Sequence, residues 1–339
     1  MTTAERGLRL DEVHVEFSRR GRAPVRAVAG VNLRVEPGQI VGLVGETGCG
    51  KSTLARVAVG LIRPTSGAVW LEGARLNPLG HGVRSRQDAR LQIVFQNPFS
   101  SLNPRRKVGE QIADGPTILD RASKRSARDR VLQILEEVGI PKSAADRFPH
   151  EFSGGQRQRI AIARVLAASP SIVVLDEPLS SLDASAQAQV ANLLVRLSRD
   201  LNVGLLLISH DLAIVHHVAD VVAVMYLGQI VEAAPTKQLW SVPLHPYAEA
   251  LIQAVPRAGG PRVLPDVVAG EVPDPAYPPP GCRFHPRCPY AFERCRTEWP
   301  ALLEVSKGRS VACWLQTPGD AGASPSMKAT SHRADVADG

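Results

Sequence analysis

The sequence predicts an α/β fold built around a parallel β-sheet with helices on both faces. Three largely apolar segments are short enough to be buried strands, and they alternate with helical patterns, as in a parallel sheet. They cover residues 171–175, 203–208 and 220–225. A fourth apolar segment, QIVGLVG at residues 39–45, leads into a glycine-rich turn and then a helical pattern from Lys51 to Leu61.

An antiparallel β layer is expected at the start of the chain. Residues 9–17 and 26–35 alternate apolar and polar side chains, as half-buried strands do. Another strand pair is expected to bracket Ser66-Gly67 and to end at Gly73. Residues 100–168 are predicted to be mostly helical with intervening loops.

The composition is that of an ordinary globular protein. At 339 residues the chain is long enough for one large α/β domain with smaller additions. Hydrophobic residues make up 44% and charged residues 22%, which excludes a fibrous or largely disordered chain. No stretch approaches the roughly 20 apolar residues of a membrane helix, and the first residues have no apolar signal core. We therefore expect a cytoplasmic protein that reaches a membrane only through partners.

The net charge of +7 is compatible with nucleic-acid, lipid or acidic-protein partners. However, the arginines are scattered apart from a few short clusters, and no aromatic residues are interleaved with them to stack on bases. A solvated surface explains the charge better. No nucleic-acid partner is expected.

The most specific motif is GETGCGKS at residues 45–52, which matches G-x-x-x-x-G-K-[ST] between a strand and a helix. Glycines let the backbone N–H groups surround phosphates, and the positive end of the helix adds to the attraction. Lys51 is expected to reach the β- and γ-phosphates and Ser52 to ligate Mg²⁺. The alternative is a purely structural glycine-rich turn. The other nucleotide contacts predicted in or next to this loop are Gly45, Gly48, Cys49, Gly50 and Thr53, with Cys49 as a small loop residue rather than a nucleophile.

Two acids follow a buried strand in IVVLDE, residues 172–177. In an ATPase the first, Asp176, would hold the Mg²⁺ shell, and the second, Glu177, would orient or deprotonate the attacking water. Two acids after a strand are also a common helix N-cap, which is the alternative. The presence of the phosphate loop favours the catalytic interpretation.

Residues 152–156, FSGGQ, resemble the signature motif of ATP-binding-cassette (ABC) ATPases. The motif precedes the apolar helix that leads to Asp176, where that family places it. The resemblance covers residues 8 to about 315. It implies a P-loop (RecA-like) nucleotide-binding core with an antiparallel β layer and a helical subdomain, using ATP and Mg²⁺.

The resemblance also implies roles for further residues. Gln96 resembles the glutamine that senses the γ-phosphate and Mg²⁺, and His210 the histidine that binds the γ-phosphate. Phe17 resembles the aromatic that stacks on adenine, although an aromatic at a strand end is commonly just packing. Ser153, Gly154 and Gly155 of the signature motif are expected to meet the nucleotide of an opposing subunit. Gln156 of that motif is a further predicted nucleotide contact, and so is Asp183 of the SLD motif at residues 181–183, which resembles the family's D-loop.

Three further segments are similar to ATPases of oligopeptide, dipeptide and nickel importers: residues 94–104, 244–247 and 281–289. Within that group, GETGCGKSTLAR resembles the second of two ATPase types that pair in one complex. Thr47 stands where serine is usual, and Val221 where arginine often occurs. Neither position has a phosphate-contacting role.

The resemblance implies an importer ATPase for peptides or related small solutes, bound peripherally on the cytoplasmic side of the membrane. Its partners would be a second ATPase subunit, two membrane permeases and, indirectly, an extracytoplasmic solute-binding protein. A nickel-type importer is the alternative cargo class. A non-transport ABC ATPase is disfavoured because there is one cassette and no long heptad run, and an exporter because membrane spans are absent.

Four of the five cysteines lie between residues 282 and 313, within a proline-rich region. In a reducing compartment two disulfides are disfavoured. The spacing of Cys282, Cys288, Cys295 and Cys313 does not match the short C-x₂₋₄-C pairs of zinc sites, whereas an inorganic cluster tolerates wider spacing. Relatives with a similar quartet imply a [4Fe–4S] cluster that staples a domain with little core. Zinc and unrelated buried thiols remain the alternatives.

The predicted domain organisation follows from these motifs. The ATP-binding core comprises residues 1–96 and 166–234, and the helical signature subdomain comprises residues 97–165. Residues 235–315 form a small cysteine-containing C-terminal domain. Residues 316–339 lack apolar content and are expected to be a disordered tail.

Overall fold

The computed structural model describes residues 6–19, 21–80, 85–96, 101–255 and 270–316. Most of the predicted tail and residues 97–100 of the proposed helical subdomain lie outside the described residues. Within the described ranges, no helix combines the length and apolar character needed to cross a membrane.

A four-stranded antiparallel sheet confirms the predicted β layer. It has the order β2-β1-β4-β5. The strands are β1 (Leu8–Arg19), β2 (Arg22–Val35), β4 (Ser66–Leu71) and β5 (Ala74–Arg75).

One expected turn in this layer was wrong. Ser66 and Gly67 begin strand β4, and the turn that follows the strand lies at Glu72-Gly73. The φ angles there are 50° for Glu72 and 79° for Gly73, both in the left-handed region. Gly67 is instead needed for a close approach, since a Cβ there would lie 2.2 Å from the carbonyl oxygen of Glu12. The glycine therefore lets β4 pair with β1.

The second sheet has eight strands in the order β11-β12-β10-β9-β3-β8-β7-β6. Five neighbouring strands, from β9 to β6, run parallel, as predicted. Every residue of β3, β7 and β8 is buried, which explains their continuous apolar runs. The strands are β3 (Ile40–Val44), β6 (Leu91–Val94), β7 (Ile172–Asp176), β8 (Gly204–Ile208), β9 (Val221–Tyr226), β10 (Gln229–Pro235), β11 (Leu303–Ser306) and β12 (Arg309–Val311).

Helices cover both faces of the eight-stranded sheet. Helix α1 packs between this sheet and the antiparallel layer, where Leu54 and Val57 join one apolar core. The helices between residues 108 and 253 pack on a second core that covers the opposite face and extends through the helical segment. The helices are α1 (Lys51–Ala58), α2 (Val108–Leu119), α3 (Lys124–Glu137), α4 (Gly154–Leu166), α5 (Ala184–Asp200), α6 (Leu212–Val218), α7 (Thr236–Ser241), α8 (Pro246–Gln253) and α9 (Glu293–Thr297).

Helices α2, α3 and α4 confirm the prediction of a mainly helical segment before Asp176. In α3 the buried side chains are Ala127, Val131, Ile134 and Leu135, which have the spacing of one helical face. Ser123 caps this helix by accepting a hydrogen bond from the N–H of Ser126.

The C-terminal region adds strands to the core sheet, which the sequence did not indicate. Strand β12 pairs antiparallel with β10, and β11 pairs with β12. At this junction the buried Glu232 carboxylate accepts from Arg309 Nη2 at 2.8 Å and from the N–H groups of Leu244 and His245. Burial raises the pKa of Glu232. The C-terminal region is thus continuous with the core sheet, and the boundary at residue 235 remains a prediction.

Candidate nucleotide-binding site

The phosphate loop lies between β3 and α1, and its glycines adopt conformations that other residues rarely reach. The φ angles are 154° at Gly45, 82° at Gly48 and 108° at Gly50. A Cβ at Gly45 would lie 2.1 Å from the Met225 carbonyl oxygen. These glycines therefore allow the tight loop that leads into the N-terminus of α1, and a helix N-terminus attracts anions.

Lys51 lies inside this loop and is 5% exposed. Its Nζ donates to the carbonyl oxygens of Gly45 at 2.8 Å and of Glu46 at 2.9 Å. The ammonium group is thereby held where phosphates would enter the loop. This placement agrees with the role expected of Lys51.

Ser52 and Asp176 come together from α1 and the end of β7. The Ser52 hydroxyl donates to Asp176 Oδ1 at 2.9 Å. Burial raises the pKa of Asp176 because its carboxylate has lost water. A hydroxyl and a carboxylate are oxygen ligands of the kind that Mg²⁺ prefers, and the cation would stabilise the charged carboxylate. The two residues therefore fit a magnesium site.

Glu177 lies at the centre of a polar group next to the loop. Gln96 Nε2 donates to Glu177 Oε2 at 3.0 Å, and His210 Nδ1 lies 3.3 Å from the same oxygen. The backbone N–H of Glu177 donates to the Ile208 carbonyl at 3.0 Å, which ties it to β8. Glutamate, glutamine and histidine thus meet next to the loop, and their catalytic roles remain predictions.

A cavity of about 500 Å³ joins these groups. Its volume is in the range of small-molecule sites. The predicted residues that line it are Thr53, Gln96, Glu177, His210 and the loop from Gly48 to Ser52. Residues that the sequence did not indicate are Val25, Arg26, Ala27, Leu227, Gly228 and Pro275. They come from the antiparallel layer, the β9–β10 turn and the C-terminal region, which no local motif could reveal.

Phe17 is not among the lining residues. It is 41% exposed and pairs with Val25, which does line the cavity. Cross-strand partners point to the same face of a sheet, so Phe17 lies next to the cavity entrance. Its stacking on adenine remains a prediction.

Two family models match the chain. Residues 28–180 match the model described as ABC transporter, and residues 231–295 match the oligopeptide/dipeptide transporter C-terminal region. The di/tripeptide transport ATP-binding protein DppF of Pseudomonas aeruginosa is 46% identical over 304 residues, which are 88% of this chain and 94% of that protein. The dipeptide transport ATP-binding protein DppF of Haemophilus influenzae is 44% identical over 292 residues, which are 86% of this chain and 89% of that protein.

The chain belongs to the ATP-binding subunits of ABC transporters. Solved structures agree with this membership and with an ATPase activity. The dimeric, post-hydrolysis ATP-binding cassette MJ0796, bound to ADP and Pi, superposes with a TM-score of 0.60 at 25% identity over 68% of this chain and 98% of that one. CbiO1 of Clostridium perfringens is part of the ABC transporter complex cbiONQ. It superposes with a TM-score of 0.62 at 28% identity over 69% of this chain and 90% of that one. The predicted P-loop fold is confirmed.

The signature motif of this ABC ATPase begins helix α4, away from the cavity. Ser153 accepts a hydrogen bond from the N–H of Gln156 at 3.4 Å, and Gln156 Oε1 accepts from the N–H of Ser153 at 3.0 Å. This reciprocal cap leaves the helix N-terminus exposed. Asp183 is exposed and caps α5 in the same way, through the N–H of Ala186. The described residues that line the cavity do not include Ser153, Gly154, Gly155, Gln156 or Asp183.

The four C-terminal cysteines of the ABC ATPase line one small pocket. Cys282, Cys288, Cys295 and Cys313 share it with His245, His285, Phe284 and Trp314. Burial raises the pKa of Cys288 to about 11 and of Cys313 to about 12, so both thiols stay protonated without a metal. Across the described ranges, no group of three or more His, Cys, Asp or Glu residues is arranged to hold a metal ion.

Proposed function

We propose that this ABC ATPase hydrolyses ATP to energise an importer of peptides or related small solutes. The observation that carries the catalytic part is the convergence of Lys51, Ser52, Glu177, Gln96 and His210 around one cavity. The cargo class is supported by the match of residues 231–295 and by relatives named for dipeptide and di/tripeptide transport.

The geometry of the cavity supports a catalytic role for each of these residues. Lys51 exchanges its loop carbonyl partners for the β- and γ-phosphates, since both sites lie within the same loop. Ser52 and Asp176 would hold Mg²⁺, which would supply positive charge to neutralise the phosphates. Glu177 orients the attacking water and accepts its proton. Gln96 and His210 hold the Glu177 carboxylate and reach the γ-phosphate when it is bound.

The exposed signature motif is proposed to complete the site of a second ATPase subunit. The N-terminus of α4 offers N–H groups and a positive dipole end to an anion, yet lies away from the cavity of its own chain. Two chains facing each other would therefore bind two ATP molecules between them. The second subunit can be identical or related.

The proposed assembly contains two membrane permeases, fed by an extracytoplasmic solute-binding protein, with this ATPase attached peripherally on the cytoplasmic side. The helical segment around residues 97–150 is proposed to receive the permeases. The domains are proposed as the core at residues 1–96 and 166–234, the C-terminal domain at residues 235–315 and a tail at residues 316–339.

Copurification from the native host tests the assembly, and uptake tests the cargo. We expect two permeases and a related ATPase to copurify, and ATP hydrolysis by the reconstituted complex to rise when binding protein and a di- or oligopeptide are added. Uptake of nickel ions without peptide uptake would assign the nickel-type alternative. Copurified nucleic acid or ribosomes without permeases would contradict a transport role.

The cysteine pocket is proposed to hold a [4Fe–4S] cluster. Four thiols around one pocket support this, because such a cluster takes one thiolate at each of its irons, whereas a single ion needs all ligands at one point. The cluster would staple the C-terminal domain. Anaerobic purification followed by iron, sulfide and visible-absorption analysis is expected to give stoichiometric iron. Zinc without iron would assign a zinc site. Metal-free protein of unchanged stability would contradict both the iron–sulfur and the zinc assignment.

A further inference from the structure

The phosphate loop is joined to the C-terminal region by a partly buried ion pair. Arg287 Nη1 and Nη2 donate to the two carboxylate oxygens of Glu46 at 2.7 and 2.9 Å. The Arg287 side chain is 3% exposed, and Glu46 is the second residue of the loop. Paired hydrogen bonds of this kind fix orientation as well as distance. The loop therefore has a rigid partner 241 positions away in sequence.

A second contact holds the same loop residue through its backbone. The N–H of Glu46 donates to the Tyr247 hydroxyl at 2.9 Å. Tyr247 is fully buried in α8, and its ring centroid lies 4.7 Å from that of Tyr226 and 5.3 Å from that of Phe284. An aromatic cluster thus fixes the hydroxyl that anchors the loop.

These contacts bear on nucleotide binding because Glu46 is also tied to Lys51. The Glu46 carbonyl accepts from Lys51 Nζ at 2.9 Å, so side chain, N–H and carbonyl of one residue are each engaged. Phosphate binding by such a loop depends on the direction of its N–H groups. An unpaired carboxylate at Glu46 would also repel phosphates, and Arg287 neutralises that charge.

We infer that Arg287 and Tyr247 are positioning residues for the phosphate loop, which makes ATP binding depend on the docked C-terminal region. Pro275 of that region also lines the nucleotide cavity, and Arg283 donates to the Leu227 carbonyl at its edge. The inference rests on the proposed nucleotide site. It assigns to the C-terminal region a role in binding ATP, in addition to any metal it holds.

A double-mutant cycle on nucleotide affinity tests the ion pair. Arg287→Met should weaken binding of a fluorescent ATP analogue to the full-length chain by about tenfold, because it leaves the Glu46 carboxylate unpaired in the loop. Glu46→Gln breaks the paired hydrogen bonds without leaving a negative charge and should weaken binding less than Arg287→Met does. The double variant should be no weaker than the weaker single variant, because both remove the same interaction. Arg287→Lys keeps the charge without the paired hydrogen bonds and should lie between wild type and Arg287→Met.

Arg309→Met is the matched control, since it breaks another buried ion pair of the C-terminal region that does not contact the loop. It should lower the unfolding temperature and leave the dissociation constant for the analogue unchanged. If Arg287→Met prevents folding, Tyr247→Phe serves instead, because it keeps the ring and removes only the acceptor, and it should weaken binding by about threefold.

Two results would overturn the inference: Arg287→Met or Tyr247→Phe binding the analogue within twofold of wild type, or Arg309→Met weakening it as much as Arg287→Met. The Lys51→Ala variant distinguishes rejection of the positioning role from failure of the proposed nucleotide site. If Lys51→Ala also binds normally, the nucleotide site is wrong. If Lys51→Ala alone loses affinity, the site stands and the positioning role is rejected.

Discussion

Glu177 combines an unusual backbone conformation with a central place in the proposed site. Its φ angle is 49°, in the left-handed region that non-glycine residues rarely adopt. The N–H bond to Ile208 and the contacts with Gln96 and His210 hold it there. Such conformations persist only where surrounding structure fixes them, and they are common at functional sites. The backbone directs the carboxylate toward the cavity.

Glu177→Gln should therefore keep ATP binding and nearly abolish turnover. The amide preserves size but cannot accept the proton of the attacking water, so the rate should fall by about 10²–10⁴-fold. Phosphate release and ATP-stabilised dimer closure are the measurements. A variant that retains more than about a third of the wild-type rate would contradict the assigned role.

Gly50 and Gly48 offer a matched pair of substitutions in one loop. Both have positive φ angles, but a Cβ at Gly50 would lie 2.2 Å from the Ala27 carbonyl oxygen, whereas nothing lies within 4 Å at Gly48. Backbone strain costs about 1–3 kcal/mol in both alanine variants. Only Gly50→Ala adds a clash with backbone, so its ATP affinity should be the lower of the two. Isothermal titration of both variants decides this, and equal affinities would show that the clash relaxes.

At the scale of elements, the N-termini of α3 and α4 allow a test of the proposal that two subunits bind ATP between them. Ser153→Arg should leave ATP binding to the isolated subunit intact and block closure over the partner's nucleotide. Ser123→Arg removes the cap of α3 and should keep turnover, because that helix start is not part of the proposed interface. ATP binding and ATP-dependent dimerisation are measured for both. Loss of binding by the isolated Ser153→Arg subunit would show that the motif acts within its own chain.

The elements that the sequence predicts best are those whose signal is local. The buried strands of the parallel sheet are continuous apolar runs, and the loop at residues 45–52 and the acids after β7 are contiguous motifs. Strand β10 contains the buried Glu232, which interrupts its apolar pattern. Its burial is possible only because Arg309 arrives from a distant strand. Short β12 has even less local signal, since it is three residues long.

The same limit explains which site residues the sequence missed. Arg287 is one of 40 lysines and arginines, and nothing near it in sequence indicates a partner in the phosphate loop. Pro275 and Leu227 approach the cavity only through the packing of the C-terminal region and the β9–β10 turn. Contacts between distant segments depend on tertiary structure, so single-sequence patterns do not contain them.

For the whole molecule, the ion pair between Glu232 and Arg309 is expected to be a major determinant of stability. Glu232 is fully buried, so Arg309→Met leaves its carboxylate with only N–H donors and should cost about 3–5 kcal/mol of unfolding free energy. Arg128→Met breaks a surface pair with Asp146, whose side chains are 65% and 62% exposed, and should cost less than about 1 kcal/mol. Urea unfolding of both variants compares them. A similar loss for both would show that the buried pair contributes little.

The pairing of β10 with β12 also sets an order of events during synthesis. Roughly 75 residues separate the end of β10 from its partner strand, which takes about 4–15 seconds to translate. For that time β10 pairs only with β9 and its other edge is open, and such edges pair readily with other chains. A ribosome-bound chain that stops before residue 309 should therefore be the species most prone to aggregate and the one that most needs a chaperone.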